Sequence, residues 1–114
     1  MKAEKALFKE DAILRPDGKQ ADYSNPDLPL FLPTEGSKWA KAQGSLFEYR
    51  LKNGHVEGLY WDEMAHSAFR YDYNPKHWDG VSADIDPTTH KIARKITNVA
   101  LATQPWRLRM AKKL

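Results

Sequence analysis

Cysteine is absent from this chain. That removes disulfide staples, cysteine nucleophiles and thiolate zinc sites together. It fits a reducing compartment without requiring one. No apolar run approaches the roughly 20 residues that cross a bilayer, so no membrane span is expected. Charged residues recur through the first eight positions, Met1 to Phe8, and leave no apolar signal-peptide centre. As written the chain starts in the cytosol, and a delivered fragment of a larger secreted protein with a new start Met would read the same. The glycine patterns of phosphate-binding loops and dinucleotide folds are missing. So are a nucleophile elbow and any internal repeat.

What remains is enough for one core. The chain has 114 residues, 41% apolar and 29% charged, which suits a single domain spanning 1–114. Folding at this size buries roughly two-thirds of the unfolded surface. Its organisation divides into a helical and Pro-rich opening (1–36), a sheet (37–86) and a basic end (87–114). Acids are missing from that end. Residues 1–86 hold 11 Lys/Arg against 15 Asp/Glu, a balance of −4, whereas 87–114 hold seven Lys/Arg and no acid, +7. Such asymmetry points to an anionic partner, nucleic acid first. The plainer reading is that the basic end neutralises the chain's own acidic body.

Local patterns predict an α+β fold. Apolar residues from Ala3 to Ile13 recur at helical spacing until Arg15-Pro16-Asp17-Gly18 stops them with strong turn chemistry. A strand–turn–strand over Ala12 to Tyr23 is the competing reading. Pro26, Pro29 and Pro33 then forbid a central strand, and Leu28, Leu30, Phe31 and Leu32 among them predict an extended segment covering the core. Ser37 is a candidate cap for a short helix through Ala42. Leu46–Lys52 and His55–Trp61 flank Asn53-Gly54, the dipeptide favoured in two-residue hairpins. Ala68–Asn74 and Val81–Ile85 also alternate, giving about four antiparallel strands with one apolar and one wet face. Asp86-Pro87 resembles a helix start. Ile92, Ala93, Ile96, Val99, Ala100 and Thr103 make one stripe of a C-terminal helix, packed on one sheet face and closed by Pro105. Trp106 to Met110 reads as either an edge strand or further helix.

The wet face would gather Glu48, Arg50, His55, Glu57, Arg70, Asp72, Ser82 and Asp84. Carboxylate, imidazole and guanidinium on one sheet can cleave RNA without metal: a base takes the 2′-OH proton, an acid protonates the leaving oxygen, and Arg stabilises phosphate charge. His55, Glu57 and Arg70 are the nominees there, with His66 before a strand and His77 in the loop 74–80 as further candidates. A wet face stitched by ion pairs is the structural alternative. Lys91, Arg94, Lys95, Arg107 and Arg109 are the candidate phosphate contacts. Trp78 could stack a base. The segment Asp62 to His66 lacks the first histidine of a zincin helix, and no spacing calls for a metal.

This layout resembles the small microbial ribonucleases and the ribonuclease toxin domains of bacterial contact-dependent and polymorphic toxins. The likeness is carried by Phe47 to Trp61 with His55 and Glu57, and by Phe69-Arg70-Tyr71-Asp72-Tyr73 with His77. It covers residues 37–86 and leaves out the C-terminal helix and basic tail. It implies RNA cleavage without a cofactor, with tRNA among the substrates, and a cognate immunity protein that blocks the site. The alternative is a non-catalytic accessory module, such as a phage protein, binding nucleic acid or protein through its basic end.

Overall fold

The computed structural model describes residues 2–58, 60 and 69–113. In chain order these form α1 (Lys2–Leu7), a 3₁₀ turn (Lys9–Asp11), α2 (Lys38–Asn53), β1 (Tyr71–Asp72), β2 (Ala83–Ile85), β3 (Ile92–Lys95), β4 (Thr97–Asn98) and α3 (Val99–Ala111). The class is α+β. The strands form two separate antiparallel pairs, β1–β4 and β2–β3, in place of one four-stranded sheet.

The opening helix stops at Leu7, and from Ala12 the chain is extended. It turns where Gly18 adopts φ 80°, a conformation that costs glycine little, and Arg15 N–H donates to Lys19 O at 2.8 Å. The segment is thus extended, turn, extended, as in the strand–turn–strand alternative, but it is held by isolated bridges and forms no strand. Three extended pieces pair with one another through the bridges Ala12↔Phe31, Leu14↔Gln20 and Asp22↔Pro29. The Pro-rich segment supplies the third piece, with Phe31 and Leu32 buried and Leu30 partly so. Ile13, Ala21, Leu32 and Val99 form one apolar cluster. Phe8, Phe31 and Trp39 form another, with ring centroids 5.7, 5.0 and 4.8 Å apart. Such pairs add about 0.5–1.5 kcal/mol each beyond area burial.

The expected hairpin at 46–61 is not formed: residues 46–53 continue α2. Ser37 caps this helix as expected, its Oγ accepting Ala40 N–H at 3.1 Å. Buried Asp11 adds a carboxylate to the first turn, accepting Trp39 N–H at 2.7 Å, which suits the positive end of the helix dipole. Ala40, Gly44, Phe47 and Leu51 then recur at helical spacing on the more buried side. Met110 Sδ lies only 3.7 Å from where a Gly44 Cβ would stand. Asn53-Gly54 ends the helix: Gly54 N–H donates to Arg50 O at 2.8 Å. A Cβ at Gly54 would sit 2.5 Å from that oxygen.

The C-terminal helix begins later than its stripe suggests. Residues 92–95 and 97–98 are strands, and Asn98 is the cap, accepting Leu101 N–H at 3.2 Å. Pro105 lies inside α3 and does not close it. An interior proline removes one N–H donor and crowds the preceding turn. Side chains supply donors to that turn: Thr103 Oγ1 donates to Val99 O at 2.7 Å and Arg107 Nη2 to Ala100 O at 2.8 Å. The tail from Trp106 to Met110 is thus helical. It packs on α2 through Ala40, Trp106 and Met110, whereas the sequence had the C-terminal helix pack on a sheet face and end at Pro105. No helix among the described residues is long and apolar enough to cross a membrane.

Candidate nucleic-acid interface

The wet sheet face anticipated for chemistry does not exist as one surface. Glu48 and Arg50 ride on α2, and His55 and Glu57 follow its end, exposed. Arg70 stands beside β1, where its carbonyl accepts Val99 N–H at 3.0 Å. With Tyr71, Asn98 and Ala100 it lines a shallow cleft of about 260 Å³. Among the described residues no hydrogen bond or ion pair joins His55, Glu57, Arg70 and His77 to one another. His66 lies outside the described residues.

His77 has a different task. Its Nδ1 meets the Asp72 carboxylate, and its Nε2 lies 2.9 Å from Glu10 O. A carbonyl oxygen only accepts. Asp72 is fully buried, and its other oxygen already accepts Leu14 N–H at 2.8 Å and Asn74 N–H at 2.9 Å. An acceptor at each ring nitrogen favours the protonated ring. Burial opposes that charge, but the hydrogen bond and charge of Asp72, the Glu10 carbonyl and the charge of Asp11 outweigh it and raise the His77 pKa above 6.5. Both ring nitrogens are thus engaged within the fold. Asn74 extends the knot by donating to Ala12 O at 2.9 Å, and Lys76 pairs with Glu10 beside it.

The opposite arrangement occurs along β2–β3. Its base is fixed by Asp79, which accepts Val81 N–H (2.9 Å), Ser82 N–H (2.7 Å), Ser82 Oγ–H (2.6 Å) and Asn98 N–H (2.7 Å). Burial works against the Asp79 charge, but these donors hold its pKa down at about 2. The tip is a loop closed by Asp86 N–H to Lys91 O at 2.9 Å. Asp86 also accepts Thr88 and Thr89 N–H, both at 2.8 Å. Those two amides lower its pKa. Asp86-Pro87 thus begins a tight loop where the sequence suggested a helix.

Cross-strand partners share a face of a ribbon. Asp84 faces Arg94, Ala83 faces Lys95, and Ile85 faces Ile92 across a bulge. The Asp84–Arg94 side turns to the body: Arg94 pairs with Asp84 at 2.9 Å, reaches Pro16 O at 3.3 Å and lies 4.2 Å over Tyr73. The other side is open. Ile85 is 55% exposed and Ile92 65%. At its base Lys95 Nζ stands 4.0 Å over the Trp78 ring, which is 49% exposed. Trp78 Nε1 donates to Ser82 O at 3.1 Å, which holds the indole in place.

The remaining basic candidates divide. Arg107 folds back on its own helix, donating to Thr103 Oγ1 at 3.1 Å and Ala100 O at 2.8 Å. Arg109 pairs with Glu35 at 3.3 Å, and Lys113 with Glu48. So Arg94, Arg109 and Lys113 do neutralise acids of the body. Lys91 and Lys95 remain exposed on the ribbon. No group of three His, Asp or Glu side chains gathers as a metal site among the described residues. The chain matches no family model, no curated protein and no solved structure. Sequence reasoning named Trp78, Lys91, Arg94 and Lys95 singly but missed Ile85 and Ile92, because it did not read the strand pair that assembles them.

Proposed function

We propose that this chain is a non-catalytic nucleic-acid-binding module that grips phosphates through the β2–β3 ribbon, with RNA the first candidate. The carrying observation is the open ribbon face, where Lys95 lies over exposed Trp78 at the base and exposed Lys91 stands near the tip. The ribbon's own acids are engaged elsewhere, Asp84 by Arg94 on the far side and Asp86 by the loop amides. Cationic side chains with an open aromatic ring are the minimum for tracking a nucleic-acid backbone.

The endoribonuclease reading has less support. It needs acid, base and guanidinium around one phosphate, but His55 and Glu57 follow α2, Arg70 stands beside β1, and His77 is engaged by Asp72 and Glu10. The immunity protein implied by the toxin resemblance belongs to that reading. One incubation separates the two. Titrating full-length protein into labelled RNA at increasing salt should give binding that weakens with a log–log slope of roughly −1.4, about −0.7 for each of the two phosphates held by Lys91 and Lys95. The RNA should stay intact. Discrete cleavage that survives EDTA reverses the choice, and binding indifferent to salt removes the nucleic-acid reading.

A further inference from the structure

Resting on that reading, we infer that the partner is single-stranded: the open ribbon face is a base-stacking strip running from Trp78 at its base to the Ile85–Ile92 pair near its tip. Strands of a two-stranded ribbon gain lasting stability when an apolar face packs on something. Here the side bearing Asp84 and Arg94 packs on Tyr73 and the 16–18 turn, while the side bearing Ile85 and Ile92 packs on nothing described.

The chemistry of the strip selects its occupant. Its groups are an indole, two isoleucines and the small Ala83, with Lys95 among them and Lys91 just beyond Ile92. An acid-free strip alternating apolar surface with ammonium groups complements a chain of flat apolar rings joined by anions. A duplex presents phosphates but hides the faces of its bases, so it offers nothing to Trp78 or the isoleucines. An unpaired strand offers both at once. The Trp78 ring is already oriented by its bond to Ser82 O, so little freedom is lost when a base stacks on it. Lys95 lies on the ring in the free protein. A base arriving on that side displaces the ammonium group toward the adjoining phosphate. A base on the opposite side leaves it in place.

The test uses the full chain with a fluorescent 12-nucleotide oligo(U), the same oligo annealed to its complement, and a polyglutamate peptide, all followed by anisotropy. The proposal predicts oligo(U) binding at least tenfold tighter than the duplex. Trp78→Leu should lose on the order of tenfold on oligo(U), one base's stacking converted at 1.4 kcal/mol per tenfold, and change duplex binding by less than twofold. Trp78→Phe keeps a ring and should recover most of the loss. Ile85→Thr/Ile92→Thr provides a second handle should the Trp78 variants fold poorly, with a several-fold loss expected on oligo(U) alone. Equal affinity for single strand and duplex, with Trp78→Leu neutral, overturns the stacking strip while leaving nucleic-acid binding standing. Polyglutamate bound as tightly as oligo(U), or no salt-sensitive binding to either nucleic acid, overturns the underlying reading and the strip with it.

Discussion

Around Asp72 the chain buries a carboxylate and partners both of its oxygens, whereas along β2–β3 it exposes apolar groups and leaves them uncovered. The first region joins the loop 74–77 to the N-terminal segment through Leu14, Asn74, His77 and Glu10. The second joins Ile85 to Ile92 and Trp78 to Lys95 with open solvent beyond them. Buried charge is costly unless paired and hydrogen-bonded, so the Asp72 knot belongs to the fold. Exposed apolar side chains beside cations add little to a monomer, so the ribbon is better suited to a partner.

That contrast can be broken first at Asp72. Asp72→Ala removes the acceptor of three donors and strands the His77 charge, and should destabilise the protein by about 3–5 kcal/mol. Urea unfolding near pH 6 measures it. A loss below about 1 kcal/mol would mean that the knot does not hold the fold. Next in size is a pH effect. The His77 pKa is raised above its ordinary 6.5, so its contribution is complete below about pH 6.5 and fades as pH rises through the folded value. The groups facing it are Asp72, Asp11, the Glu10 carbonyl and the neighbouring Lys76–Glu10 pair. Unfolding free energy should fall across that alkaline range, and His77→Gln should flatten the decline. Parallel pH curves for the two proteins would remove His77 from the account. The smallest effect belongs to the ribbon: Ile92→Thr should change thermal stability within about 0.5 kcal/mol, since its side chain is already in water.

The sequence spoke clearly where a residue's chemistry admits one structural use. Ser37 reads as a cap and is one, Val81–Ile85 contains β2, and the Pro-rich run covers the core with Phe31 and Leu32. It misled where one pattern serves two structures. Asn53-Gly54 is a hairpin turn in one setting and a helix end in another. The alternation around Leu46–Leu51 coexists with Ala40, Gly44, Phe47 and Leu51 at helical spacing, and packing against Trp106 and Met110 decided for the helix. Likewise Ile92, Ile96 and Val99 fall at helical spacing although a strand, β4 and a helix cap intervene. All four residues of β3 are exposed, so no core-facing alternation announced it. The candidate site was legible as residue types and illegible as a surface, because its assembly depends on that strand.

The central claim is that the ribbon serves binding and leaves folding to the rest of the chain, and the double variant Lys91→Ala/Lys95→Ala tests it most directly. Thermal melts and RNA titrations at low salt should be run on the same preparations. The account predicts a melting curve like the parent's, with RNA affinity reduced at least tenfold and the salt slope shallower by roughly 1.4, two single-strand phosphates' worth. Unchanged affinity and slope in a folded double variant would contradict it.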